Sequence, residues 1–399
     1  MADVAPAAPM SRAVKAVVGA QTFLALGNLA TSLLALYMTQ RLGMSEVNSG
    51  LFLGACAIAS ALAALLAVQL SDRWGARLVA VRALVVAGLG WILTPYCGPL
   101  WAILGVLLIT QALDNSTAVL INTLVADADD DRADRKRSFS LLYAASSVGH
   151  AVSPLSAGLL FEYAPDMAFV GTGLATLAAA WLISLLDPHQ HRPSTEAAAA
   201  EGESAPSLRL LPLPLLLFSV LFIAHGLTYS QTGFALPLWL ASELGDHAPR
   251  MYGLLMTANG VLVLLMLPLA TRFTAGLAPG KCVGIGLGLY ALAFVGYGHA
   301  LNLGWLFASM AVWTAGEVLV VPNAKVFVAE AVPEWLRTRA NTLLDFSFEA
   351  GFGLGPVAAG FVLNRGGQGL LWPLIATTAL ACGLGIATVE KRMLRRAKT

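Results

Sequence analysis

Ionisable side chains within long apolar stretches are the residues of this sequence most suited to chemistry. They are Asp114, Glu317, Lys325, Asp345 and Glu349. On insertion scales a charged side chain at the centre of a bilayer costs about 2.5–3.5 kcal/mol, so each one needs a partner or a task. An acid in such surroundings loses much of the hydration that favours its charged form, and it can exchange a proton. The four acids are therefore candidates for proton coupling.

The positions of these residues along their predicted helices indicate how they could be arranged. At about 1.5 Å per residue, Lys325 and Asp345 both lie about 9 Å from the cytoplasmic ends of consecutive helices, so they could form an ion pair. Lys325 could instead bind an anionic substrate. Glu317 lies roughly 20 Å deep, Asp114 lies nearly as deep, and Glu349 has an intermediate depth. These acids either exchange protons or remain protonated as hydrogen-bonding groups.

Further polar side chains in the same stretches could line a substrate cavity. Histidine offers titration or hydrogen bonds, and asparagine, glutamine and tyrosine offer hydrogen bonds. The same residue types also bond helices to one another, so both roles are open. The candidates for the cavity are Asn28, Asn122, His150, His225, Tyr229, Gln231, Asn259, Asn323 and Lys325.

Membrane-spanning helices must position these residues. Of the 399 residues, 57% are hydrophobic and 12% are charged, about half the charged share of an ordinary globular domain. Charge-free runs such as residues 16–40 and 210–242 exceed the roughly 20 residues that cross a bilayer as a helix. The sequence predicts an all-α integral membrane protein with twelve transmembrane helices, at residues 16–38, 50–70, 78–96, 100–126, 138–161, 167–186, 213–240, 251–271, 280–300, 304–330, 339–363 and 369–388.

The distribution of basic residues predicts the orientation. If the N-terminus is cytoplasmic, nearly all of the 24 Lys and Arg residues fall in cytoplasmic segments. Only Arg41, Arg250 and Arg365 fall on the other side, and Lys325 lies within a span. By the positive-inside rule, we expect a multi-pass protein of the cell (inner) membrane with both termini in the cytoplasm.

The chain divides into two related halves. Residues 187–212 are polar and simple in composition, which predicts a flexible cytoplasmic linker. The linker separates an N-terminal six-helix bundle, residues 1–186, from a C-terminal six-helix bundle with a short basic tail, residues 213–399. A pattern of small residues and proline recurs at an offset of 202 residues, which indicates a duplicated unit and two pseudo-symmetric bundles.

The repeated pattern is a helix-kink motif. Small residues let membrane helices pack closely, and neighbouring helices satisfy the backbone groups that a proline frees. A kinked, tightly packed helix pair could also be the surface on which the two halves move. The motif comprises Gly149, Pro154 and Gly158 in the first half and Gly351, Gly355, Pro356 and Gly360 in the second.

Two motifs carry a family resemblance. The loop after the second predicted helix contains Asp72, Arg73, Gly75 and Arg77 and is similar to the G-x-x-x-D-R-x-G-R-R loop of the major facilitator superfamily, with Val68 at its first position. The fifth predicted helix resembles the G-x-x-x-G-P-x-x-G-G motif of the drug and metabolite proton antiporters, which have twelve helices. The resemblance covers nearly the whole chain.

The resemblance implies the major facilitator fold and alternating-access transport. It implies that Asp72, Arg73, Gly75 and Arg77 form a conformational latch. The alternative is that the basic residues only keep this loop in the cytoplasm, by the positive-inside rule. It favours proton-coupled efflux of a small organic molecule such as a drug, siderophore or metabolite. Many such antiporters have an arginine in the fourth helix, and residues 101–126 contain no basic residue. A symporter or uniporter that imports a nutrient, peptide or organic anion therefore remains open.

Other classes of function lack their motifs. There is no phosphate-binding G-x-x-x-x-G-K-[ST] loop and no H-E-x-x-H or G-x-S-x-G sequence, so we expect neither an ATP-driven pump nor an enzyme. The four cysteines are scattered, and the net charge of +1 shows no basic stripe for nucleic acid. We expect a monomer in the lipid bilayer whose partners are a small-molecule substrate and protons, with no cofactor and no metal.

Overall fold

The computed structural model describes residues 10–128, 132–187, 212–274, 276–300 and 302–396, and these residues form helices and short connections without a β-strand. The predicted linker at 187–212 lies almost wholly outside them. The helices are α1 (Arg12–Leu26), α2 (Glu46–Trp74), α3 (Ala76–Leu93), α4 (Leu100–Asp127), α5 (Arg132–Tyr163), α6 (Pro165–Ser184), α7 (Leu213–Tyr229), α8 (Ala235–Leu244), α9 (Ala248–Thr274), α10 (Pro279–Gly298), α11 (Leu303–Ala331) and α12 (Arg337–Arg396).

Several of these helices are long and apolar enough to cross a membrane. Within the described residues, 9 helical stretches meet that condition by length and composition. The longest, Leu213–Thr274 and Arg339–Lys391, have 62 and 53 residues, far more than the roughly 20 that one crossing needs. The first contains the turn of Gly245 between α8 and α9. The second is interrupted inside α12 at Gly367, whose φ of 59° is not helical.

The chain forms two compact units that do not follow the sequence in two continuous blocks. Unit 1 comprises residues 1–31, 59–153 and 164–194, and unit 2 comprises residues 32–58, 154–163 and 195–399. The first part of α2 and the end of α5 therefore belong to unit 2. The division into two six-helix halves, which the sequence repeat suggests, stays a prediction.

The core of unit 1 is apolar and closely packed. Side chains of α1, α3, α4 and α6 meet there, among them Val17, Leu84, Leu120 and Ile183. The helices α3 and α6 approach so closely at Gly88 that a Cβ atom there would lie 2.8 Å from Leu177 Cγ. Small residues at such crossings let membrane helices gain van der Waals contact, because lipid supplies no hydrophobic drive between them.

The helix that begins at Arg12 is interrupted in unit 1. α1 ends at Leu26, with Gly27 as its cap, although the sequence predicts one continuous span over 16–38. The freed backbone N–H groups of Leu29 and Ala30 donate hydrogen bonds to the Thr172 hydroxyl of α6, at 3.2 and 3.0 Å. Irregular backbone at membrane depth requires such partners. The interruption therefore depends on a side chain that is distant in sequence.

A corresponding interruption lies in unit 2. α7 ends at Tyr229, and a 3₁₀ turn over Ser230–Thr232 leads to α8. The carbonyl of Ser230 accepts the N–H groups of Gly233 and Phe234, both at 3.1 Å. The last residues of α1 and α7, Leu26 and Tyr229, are 203 residues apart, close to the 202-residue offset of the sequence repeat. The break therefore recurs at nearly the spacing of the predicted duplication.

Unit 2 is held together by aromatic packing and by one buried acid. α7 packs along α12, and α10 packs between α11 and α12. The Glu390 carboxylate, only 7% exposed, accepts the N–H groups of Gly280 and Lys281 at 2.6 and 2.8 Å. These are unpaired donors at the start of α10, where the helix dipole also favours a negative charge. Glu390 thus fastens the last helix to α10.

The ends of α2 and α5 that belong to unit 2 contact its other helices through glycine. Gly50 lies directly against the Pro356 carbonyl and Gly360 against the Glu46 carbonyl, so that α2 and α12 touch at backbone level. Gly158 contacts the Pro249 carbonyl in the same way. A Cβ atom at any of these glycines would overlap its neighbour. This packing has no space for a larger side chain.

Candidate functional site

Glu317 is the centre of a hydrogen-bonded group in unit 2. The Tyr229 hydroxyl at the end of α7 donates to Glu317 Oε1 at 2.8 Å, and Asn259 Nδ2 of α9 donates to Oε2 at 2.8 Å. Asn259 also donates to the Thr314 hydroxyl at 3.0 Å. Three predicted candidates thus come together on three helices. Both oxygens of one half-buried carboxyl group have a donor, as burial requires.

A cavity opens beside this group. Its volume is about 330 Å³, which falls at the lower end of the range of small-molecule pockets. Helix α7 contributes one side chain, and α11 and α12 contribute the others, most of them apolar. The lining residues are Tyr229, Glu317, Val321, Phe348, Glu349 and Phe352.

Glu349 differs from Glu317 in its surroundings. It lines the cavity but forms no hydrogen bond or salt bridge with another described residue. Phe348 precedes it on α12, and Phe352 lies three residues further on. The two rings are 5.9 Å apart, and Tyr229 lies 5.5 Å from Phe348 and 6.4 Å from Phe352. An acid with no hydrogen-bond or ion-pair partner in the described part of the chain therefore borders an aromatic wall.

Behind the cavity, aromatic side chains form a packed layer. Tyr290 of α10 stacks on Trp313 of α11 at 5.4 Å, and Trp313 lies 5.2 Å from Tyr229. His225, 1% exposed, stacks on Tyr290 at 5.7 Å. The Tyr290 hydroxyl, Trp313 Nε1 and His225 Nδ1 have no hydrogen-bond partner in the described part of the chain. His225 therefore supports the cavity from behind and does not line it.

Lys325 and Asp345 form an ion pair between α11 and α12, as their depths allow. The Nζ–Oδ1 contact joins side chains that are 47% and 61% exposed. The charge of Lys325 is thus engaged. Neither residue lines the cavity, although Asp345 stands one turn before Glu349 on α12.

Asp114 has a different partner in unit 1. Trp91 of α3, completely buried, donates its indole N–H to Asp114 Oδ2 at 3.1 Å. Near it, Asn115 donates to the Ser60 hydroxyl at 3.1 Å. The indole can only donate, so it serves the acceptor oxygens of the carboxyl group. Asp114 thus has one fixed donor.

The remaining candidates for the substrate cavity are placed apart from the Glu317 group. His150 is exposed on α5 and contacts the Ser146 carbonyl through Nδ1 at 2.7 Å. Asn323 donates to the Leu319 carbonyl of its own helix at 2.8 Å, and Gln231 donates to the Leu227 carbonyl at 2.9 Å. Asn28 is half-buried at the break after α1 and Asn122 is exposed on α4.

The predicted latch residues lie at the end of α2, at the turn residue Gly75 and at the start of α3. Gly75 has a φ of 81°, which a residue with a side chain rarely adopts, and it immediately precedes α3. The Arg77 guanidinium donates to the Ser184 carbonyl at the end of α6 and borders a small cleft with Asp127 and Asp187.

Two other residues of the predicted latch are exposed. Asp72 and Arg73 form no hydrogen bond or ion pair with another described residue. Their latch role stays a prediction.

The residues of the helix-kink motif all lie at close helix contacts. Gly149 packs on Ala25 of α1 within unit 1. In unit 2, Gly351 meets the Ile223 carbonyl and Gly355 meets the Ser230 hydroxyl, both on the α7 side of α12. The Pro154 carbonyl lies against Gly253 of α9, and Pro356, Gly158 and Gly360 make the contacts with α2 and α9 described above.

The sequence did not reveal the aromatic wall. Phe348 and Phe352 stand four residues apart on either side of Glu349, a spacing that places both rings on one helix face. That spacing was a usable signal. Tyr290 and Trp313 carried no comparable signal, because an aromatic residue in an apolar helix is ordinary. Within the described residues, no group of three or more His, Cys, Asp or Glu is placed to hold a metal ion.

An all-helical chain with apolar, membrane-length helices and polar groups on their interior faces is a multi-pass membrane protein. The sequence profile of the Major Facilitator Superfamily matches residues 16–247 and 217–396, and the chain belongs to that superfamily of transporters. The drug and metabolite antiporter branch is a finer assignment that these matches do not make.

Individual relatives are distant. Two proteins of Bacillus subtilis (strain 168), described as the uncharacterized MFS-type transporters YhjO and YqjV, are 23% and 22% identical to this chain. The alignments span 90% of this chain and 88% of YhjO, and 86% of this chain and 85% of YqjV.

Solved structures share the fold. The nucleoside transporter NupG superposes with a TM-score of 0.75 at 17% identity, over 95% of this chain and 99% of NupG. The transporter PepTSo of the POT family superposes with a TM-score of 0.76 at 14% identity, over 97% and 99% of the two chains. At these identities the likeness concerns the fold alone.

Proposed function

We propose that this protein exports a small organic molecule, such as a drug, siderophore or metabolite, in exchange for protons by alternating access. In this proposal twelve helices form two six-helix halves, residues 1–186 and 213–399, joined by the linker at 187–212. The protein is a monomer of the cell (inner) membrane with both termini in the cytoplasm, as the basic residues predict.

The observation that supports proton coupling is the pair of donors on Glu317 at the edge of the cavity. An ionised carboxylate accepts hydrogen bonds at both oxygens, and Tyr229 and Asn259 supply them. When Glu317 takes a proton, one oxygen becomes a donor. The Tyr229 hydroxyl can then accept, because a phenol both donates and accepts. Both protonation states keep a partner, as a reversible proton carrier requires.

The coupling follows from the place of this carboxylate in the cavity wall. Protonation of Glu317 removes a negative charge from the cavity wall and lowers the affinity for the substrate. Loss of the proton restores that affinity. Asp114 is the corresponding proton site in the first half. Occupation by protons and by substrate thus alternates, which is the condition for antiport.

Everted membrane vesicles with an acidified lumen test the proposal. Addition of a transported substrate should make the lumen more alkaline, because each substrate that enters exchanges for protons that leave. The Glu317→Gln and Asp114→Asn variants should lose this response, and Glu330→Gln, at an exposed acid on α11, should keep it. Substrate uptake without any proton movement in the unaltered protein would remove the antiport claim.

A second candidate is import of a nutrient, peptide or organic anion by symport or uniport. It is favoured by the absence of a basic residue over 101–126 and by the fold shared with nucleoside and POT family transporters. The ion pair of Lys325 with Asp345 counts against an organic anion, because the charge that would bind the anion is engaged. In the same vesicles, symport would move protons and substrate in the same direction.

A further inference from the structure

We propose that the cavity between α7, α11 and α12 binds an organic cation, a compact ammonium ion with one positive charge and an apolar or aromatic body. Glu349 is its charge partner, and Tyr229, Phe348 and Phe352 are the faces against which the cation lies. This inference rests on the proposed transport function and names the substrate class of the same site.

The first step concerns charge. Two acids line the cavity, and none of its lining residues is basic. The nearby charge of Asp345 is compensated by Lys325, whereas Glu349 has no hydrogen bond or salt bridge to another described residue. Glu349 is exposed, so a neutral solute would leave its charge without a partner in a mostly apolar cavity wall, and an anion would add repulsion. A cation supplies the missing charge.

The second step concerns the two acids, which have different tasks. Both oxygens of Glu317 already accept hydrogen bonds from Tyr229 and Asn259. Glu349 has free acceptor capacity and can approach an ammonium group directly. A substrate ammonium therefore binds at Glu349, close enough to Glu317 for a proton there to weaken its binding through the change in charge.

The third step concerns the aromatic wall. Phe348, Phe352 and Tyr229 lie within 6.4 Å of one another by ring centroid and border the cavity. The faces of aromatic rings carry negative electrostatic potential and attract cations, most strongly where water is excluded. The same rings give apolar contact to the body of the amine. A volume of about 330 Å³ suits a molecule of one ring with a substituted ammonium group.

Equilibrium dialysis with the purified full-length protein in detergent tests this site. The probe is radiolabelled benzyltrimethylammonium. Neopentylbenzene, the neutral carbon analogue of the same shape, and phenylacetate, which carries a negative charge on the same ring, serve as competitors. The unaltered protein should bind the cation at least about tenfold more tightly than either competitor, as expected for one compensated charge in apolar surroundings. Equal binding of all three, preference for phenylacetate, or no saturable binding of the cation would overturn the proposal.

Variants locate the site. Glu349→Gln keeps the size of the side chain and should weaken cation binding about tenfold or more, whereas Glu330→Gln should leave it unchanged. Phe352→Leu keeps an apolar side chain without a π-face and should weaken binding about threefold to tenfold. Unchanged affinity in both the Glu349 and the Phe352 variants would place the cation elsewhere. The charge preference of the unaltered protein decides the question even if a variant does not fold.

Binding in detergent needs no proton gradient, so the two proposals fail separately. A cation that binds through Glu349 but moves no protons in vesicles removes antiport and leaves the binding site intact. Proton exchange driven only by neutral or anionic substrates removes the cation site and leaves antiport intact.

Discussion

Glu317 and Asp114, the two acids predicted to lie deepest in the membrane, have partners of different chemistry. Glu317 has a phenol and an amide, and both groups can donate as well as accept hydrogen bonds. Asp114 has an indole, which can only donate. A partner that can reverse its role suits an acid that gains and loses a proton during each cycle. A donor-only partner suits an acceptor oxygen that keeps its role, so Glu317 is the better candidate for the main proton carrier.

The Tyr229 hydroxyl should therefore matter for coupling more than for folding. In Tyr229→Phe the ring that faces Phe348 and Trp313 remains, but Glu317 loses one of its hydrogen bonds. We expect proton-coupled transport to fall about tenfold, consistent with the loss of a bond to a charged group, with the thermal midpoint changed little. Transport assays at fixed pH gradient measure this, and Tyr143→Phe, at a tyrosine that is 70% exposed, is the control. An unimpaired Tyr229→Phe variant would exclude the role assigned to this hydroxyl.

At the scale of single residues, the sequence identifies the ionisable side chains in apolar helices, but it does not predict which side chains contact one another. The cost of a charge in lipid singled out Glu317, Lys325 and Asp345, and simple depth arithmetic matched the last two. Asn259 and Tyr229 join Glu317 from other helices, and only the packing of α7, α9 and α11 reveals it. Side chains such as His225, which have the right chemistry but face a packed layer, look the same in sequence as those that face a cavity.

Glycines connect the first part of α2 with α12 in unit 2, and their lack of side chains sets the helix distance. Gly360→Leu would place a side chain against the Glu46 carbonyl, and overpacking costs about 1–3 kcal/mol. We expect these ends to part, so that a cysteine introduced at Ser49, 0% exposed in the intact structure, reacts about tenfold faster with a thiol reagent. Labelling in a background that lacks Cys97 measures this.

A matched control exists on α10. Gly288 has open space where a side chain would lie, so Gly288→Leu should leave the labelling rate at Ser49→Cys unchanged. Equal labelling in the Gly360→Leu and Gly288→Leu variants would show that the glycine contact does not hold these helix ends together.

The contact of Glu390 with the start of α10 is a stabilising contact between elements. Glu390→Ala removes two hydrogen bonds from a charged acceptor and leaves the buried Gly280 N–H without a partner, at a cost of about 1–3 kcal/mol. The thermal midpoint of Glu390→Ala in detergent should fall accordingly. The midpoint of Glu390→Gln should fall less, because glutamine keeps one acceptor oxygen. Glu330→Ala, at an exposed acid, should melt like the unaltered protein. A Glu390→Ala variant with an unchanged midpoint contradicts the role of this carboxylate.

Hydropathy identified the apolar helical stretches of the described residues but missed their interruptions, and the count of twelve spans stays a prediction. The run over 213–240 reads as one span because its residues are uniformly apolar, yet the backbone turns at Ser230. The break at Gly27 is satisfied in part locally, by the Leu29 N–H donating to the Gly27 carbonyl at 2.7 Å, and in part by the Thr172 hydroxyl of α6, which no local window contains. Interruptions of this kind depend on tertiary contacts, and the average hydropathy of a short stretch of sequence carries no information about such contacts.

The orientation of the whole molecule is a prediction from its cations, and reporter fusions test it. Alkaline phosphatase, active only outside the cytoplasm, should be active when fused after Asp246 and inactive when fused after Asp187. A fluorescent protein that folds only in the cytoplasm should give the opposite result at each position, which controls for expression. The reverse pattern would invert the direction of every transport step proposed above.

The Thr172 hydroxyl, which serves the backbone of Leu29 and Ala30, has a consequence for biogenesis. The chain leaves the ribosome N-terminus first, so residue 29 reaches the membrane more than a hundred residues before its partner exists. Until α6 has been synthesised, this segment must keep its backbone groups bonded by another route, and a continuous helix is the simplest. The break after α1 is then a late event of assembly, formed when α6 docks and not when the first helix is inserted.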